Sequence, residues 1–128
     1  MGVELAGLNW LAVIAGTILA FLAGWLWYSP RLFGNGWAEG SKVELGSAQS
    51  MPVLAMVMQL LALFFLALVI GITATGNQLF TAIFAILALA AFSVSGGAFT
   101  RKSNYALMVD GCYAVLAGVI MIAVQGLL

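Results

Sequence analysis

Asp110 is the one acidic residue inside any apolar run of this chain, within the stretch Tyr105–Gln125. A carboxylate in hydrocarbon costs about 2.5–3.5 kcal/mol on insertion scales, so it must find a proton, a partner or water. Counted inward from the nearest loop, it sits about seven residues, or ~10 Å, along its helix. Few polar side chains reach a comparable depth. Gln59 and Ser93 do so in the second and third apolar runs, Tyr28 stands at the mouth of the first, and Tyr113 lies one turn beyond Asp110. Together these five residues form a candidate polar layer. Two chemistries suit it: a hydrogen-bonded cluster that fixes helix register, or a proton or cation site on a conduction path. With no basic residue counted at its own depth, Asp110 is expected to be protonated and to donate to Gln59 or Ser93.

Other chemistry is poorly provided for. The chain has no histidine, which removes the commonest general base and metal ligand. Its single cysteine, Cys112, excludes an intramolecular disulfide and is expected to be a small buried thiol. Met51, Met56 and Met58 read as packing residues rather than a metal ligand set. The glycines between Gly34 and Gly40 follow no strand and open no βαβ unit, so they do not read as a nucleotide loop. Neither enzymatic activity nor a cofactor or metal is expected. A formal net charge of zero argues against nucleic acid as a partner.

The elements that must position the layer are membrane helices. Of 128 residues, 65% are hydrophobic and 6% charged, with a mean hydropathy of +1.18. A soluble domain carries roughly 25% charged residues, so lipid has to serve as this chain's solvent. Four runs are long enough to span it, at roughly 8–28, 51–72, 79–100 and 105–126. Ser29-Pro30 closes the first helix, and Ser50 with Pro52 suits the start of the second. Residues 73–78 form a tight polar turn. The N-terminus, with no basic residue before a long apolar run, does not read as a cleavable signal. The fold expected is an all-α, single-domain four-helix bundle across residues 1–128.

Charge sets the expected orientation. Arg31, Lys42, Arg101 and Lys102 all fall in the first and third connections, so those face the cytoplasm and both termini face out. The first connection opens with Leu32, Phe33 and Trp37 around Arg31, a composition suited to a short interfacial segment. Glu39 to Ser50 reads as a solvated linker. Trp10, Trp27, Arg31 and Trp37 are expected to be interfacial anchors, with Arg31 able to hold a lipid phosphate. Ala12, Gly16, Ala20 and Gly24 form a small-residue stripe at spacings of four, and Ala114 and Gly118 continue Asp110's own face. Such faces let membrane helices approach closely, within the bundle or between copies.

The stretch Gly24-Trp-Leu-Trp-Tyr-Ser-Pro-Arg-Leu-Phe-Gly34, with Asn9-Trp10 before it and Trp37 after it, resembles the bacterial family named domain of unknown function 1761. Asp110 and Tyr113 match that family's polar residue and tyrosine in the last helix, although the family usually has an amide at the Asp110 position. The resemblance implies a small four-helix membrane protein and supplies no activity. The expected role is therefore structural or accessory, with membrane lipid around it and either self-association or docking in a larger complex, in the bacterial inner membrane. A small transporter or channel using the Asp110 layer is the alternative, and a lipid or hydrophobic-ligand binder a weaker one.

Overall fold

The computed structural model describes residues 6–29, 31–42 and 53–128. These form five α-helices: α1 Trp10–Trp27, α2 Gly34–Ser41, α3 Val53–Thr75, α4 Leu79–Phe99 and α5 Asn104–Leu127. Four of them, α1, α3, α4 and α5, are long and apolar enough to cross a membrane. Their ends fall within three residues of the spans read from the sequence. The start expected at Ser50 to Pro52, and Pro30, lie outside the described residues. Asn9 caps α1 by accepting from the Ala12 amide at 3.1 Å, and Ser103 caps α5 by accepting from Ala106 at 3.1 Å.

α5 is the hub, in contact with each of the other four helices. Small residues let it approach them closely. Ala20, Ala106 and Ala117 are 0% exposed, whereas Phe92 is 81% and Trp25 69% exposed. A protein in water could not hold so many large apolar side chains on its surface. In hydrocarbon those side chains meet lipid, and close packing of small faces holds the helices together. Met56 and Met58 are among the outward residues, so they do not fill the core. Cys112 is exposed too, a correction to the buried thiol expected from its apolar surroundings in sequence.

The stripe Ala12, Gly16, Ala20 and Gly24 is buried along the α1–α5 seam. Gly16 faces Met121, and Gly24 lies so close to Tyr113 that a Cβ there would stand 2.6 Å from the phenol oxygen. On α5, Ala114 is buried, and Gly118 is buried where Ile86 of α4 presses on it.

After α1 the chain folds back on itself. Phe33 donates its amide to the Trp27 carbonyl at 3.2 Å, and Gly34 donates to Ser29 at 2.9 Å. A Cβ at Gly34 would collide with the Tyr28 and Ser29 backbone, so only glycine closes this turn. The segment read as interfacial thus becomes the short helix α2, and Glu39 to Ser41, read as linker, belong to it. α2 packs against the start of α5, where Ser103 donates to the Gly40 carbonyl at 3.0 Å. The basic ends of the first and third connections therefore meet at one end of the bundle.

Candidate functional site

Asp110 sits where α1, α2 and the α4–α5 turn converge on α5. Its Oδ1 accepts from the Tyr28 hydroxyl at 2.6 Å and from the Trp37 indole Nε1 at 2.9 Å. Its Oδ2 accepts from the Lys102 ammonium at 2.9 Å, a salt bridge with the Asp110 side chain 11% and Lys102 25% exposed. Its hydrogen-bond partners are thus Tyr28, Trp37 and Lys102, a correction to the expected donation from Asp110 to Gln59 or Ser93.

Lys102 was placed out of reach by counting depth along the helix. It reaches Asp110 because Arg101 takes a left-handed conformation (φ 63°) and the Lys102 stem lies along the bare backbone of Gly97. A long lysine stem rests on apolar surface while its head finds charge or water. The ammonium also stands 5.3 Å from the centre of the Trp37 ring, a cation–π contact.

Aromatic rings build the walls. Tyr28 meets Trp37 edge-on at 5.0 Å and Tyr113 edge-on at 5.5 Å. Tyr113 donates to the Ala20 carbonyl at 2.7 Å, and the Gln59 amide is set against the same phenol. Trp27 donates from Nε1 to the Val109 carbonyl at 3.0 Å and packs on Phe33 at 4.6 Å. Trp27 and Trp37, expected as interfacial anchors, turn their indole N–H groups inward onto α5. Trp10 and Arg31 stay exposed. The five layer residues do not all meet: Asp110, Tyr28, Tyr113 and Gln59 join end to end, while Ser93 is half-buried on α4 with no hydrogen bond to Asp110. Lys102 and Trp37 were the members that sequence reasoning missed. The signal for both was present in the clustering of cation and indole on the same loop side.

Tyr28, one residue past the end of α1, has its phenol pushed above the ordinary tyrosine range, by burial first and by the Asp110 carboxylate next. It therefore remains a donor. The carboxylate is neutralised by Lys102, and its neighbours leave it bound on both oxygens. Two recesses in the surface lie elsewhere, one between α3, α4 and α5 at the Asn77 end and one between α4 and α5 around Cys112. Among the described residues no cluster of acidic, cysteine and histidine side chains could hold a metal ion.

The model of one protein family, described as Protein of unknown function (DUF1761), matches residues 11–126. That span holds all of the five helices except the first residue of α1 and the last of α5. No curated protein and no solved structure matches the chain.

Proposed function

The chain belongs to the family described as Protein of unknown function (DUF1761), and for it we propose a structural or accessory role in the membrane. The reading is carried by one observation: Asp110 is bound on both oxygens by donors from three separate segments. A carboxylate so engaged clamps α1, α2 and the α4–α5 turn onto α5. A transported proton or cation would need one of those oxygens free, or a partner exchanged on every cycle. The broad outward apolar surface is then the working surface, for self-association or for docking in a larger complex.

In this reading the basic ends of the connections face the cytoplasm of a bacterial inner membrane and both termini face out, supported by the placing of all four basic residues on those two connections. A C-terminal reporter that is active only in the cytoplasm would reverse that orientation.

The role is tested in two measurements. Extracted in mild detergent from its native membrane, the protein should run as an assembly well above its 13.4 kDa chain mass. In liposomes the wild type should pass protons and cations no faster than empty vesicles. Flux in the wild type that disappears in a folded Asp110→Asn variant would assign the cluster to conduction instead.

A further inference from the structure

We draw no further inference here: the strongest candidate, the recess where the end of α3, the α3–α4 turn and the end of α5 set Asn77, Gln78 and Gln125 over a floor of Ile70 and Ala82, is open along a rim of exposed residues, and nothing in the structure shows what would occupy it.

Discussion

The indole of Trp37 and the carboxylate of Asp110 meet at 2.9 Å across 73 positions of chain. That bond ties α2, a helix of eight residues including three glycines, to the centre of the bundle. Glycine-rich helices of this length do not hold themselves together, since each glycine costs up to about 1 kcal/mol relative to alanine. α2 therefore depends on what it touches.

Trp37→Phe keeps the ring and removes the donor. Hydrogen bonds to charged groups are worth about 1.5–3 kcal/mol in general, whereas those between membrane helices average about 0.6. At this partly exposed site a loss of about 1 kcal/mol is expected, with faster amide exchange confined to α2 and the turn before it. Unchanged exchange in α2 would show that its docking rests on the close approach of Gly36 to the Tyr105 ring and of Gly40 to Ser103.

Asp110 and Lys102 should behave as a coupled pair. Removing either partner leaves the other charge uncompensated, so Asp110→Asn and Lys102→Met should each destabilise, by about 1–3 kcal/mol at this degree of burial. The double variant should cost clearly less than the sum, with a coupling of at least about 1 kcal/mol. Additive melting shifts would mean that the salt bridge contributes nothing.

Gly24 and Gly16 occupy one stripe but face different neighbours. A Cβ at Gly24 would stand 2.6 Å from the Tyr113 oxygen, while at Gly16 the nearest atom is a flexible Met121 methylene carbon at 3.4 Å. Gly24→Ala should push the Tyr113 ring off the Ala20 carbonyl and cost about 1–3 kcal/mol. Gly16→Ala should be close to neutral, and Gly16→Leu destabilising. Equal thermal midpoints for the two alanine variants would contradict the α1–α5 seam described above.

Alkaline sensitivity should trace to Tyr28. Its phenol holds its proton more tightly in the fold than in the unfolded chain. The resulting stabilisation is complete below the unfolded value of about 10 and is lost as the pH rises through the higher folded value. Between pH 7 and about 11 the wild-type midpoint should fall only at the upper end, and Tyr28→Phe should fall less. Parallel curves would assign the alkaline loss to another group.

Much of the fold was legible because hydrocarbon imposes a length and a composition on every helix that crosses it. The small stripe of α1 was legible for a related reason: close approach permits few residue types. The partners of Asp110 were not. Depth counted along a helix ignores how far a lysine stem reaches, and Lys102 gains its reach from the absent side chain of Gly97. Tryptophan type does not reveal direction, so Trp27 and Trp37 read as interfacial anchors although both indoles donate inward. Nor did α2 show itself, since three glycines and a serine carry no apolar period. Cys112 was misjudged because its exposure depends on how α4 and α5 part, which neither helix specifies alone.

The donors to Asp110 stand at positions 28, 37 and 102, all before it in the chain. A ribosome delivers them in that order, at about 5–20 residues per second. By the time the last helix is released, each of its donors has already been made, on segments that precede it into the bilayer. The acid thus follows all three of its donors and need never wait in lipid for a partner still to be synthesised. Moved to the first helix, the same carboxylate would wait for the lysine through most of translation. The placing of the acid after its donors makes the order of synthesis a safeguard for insertion.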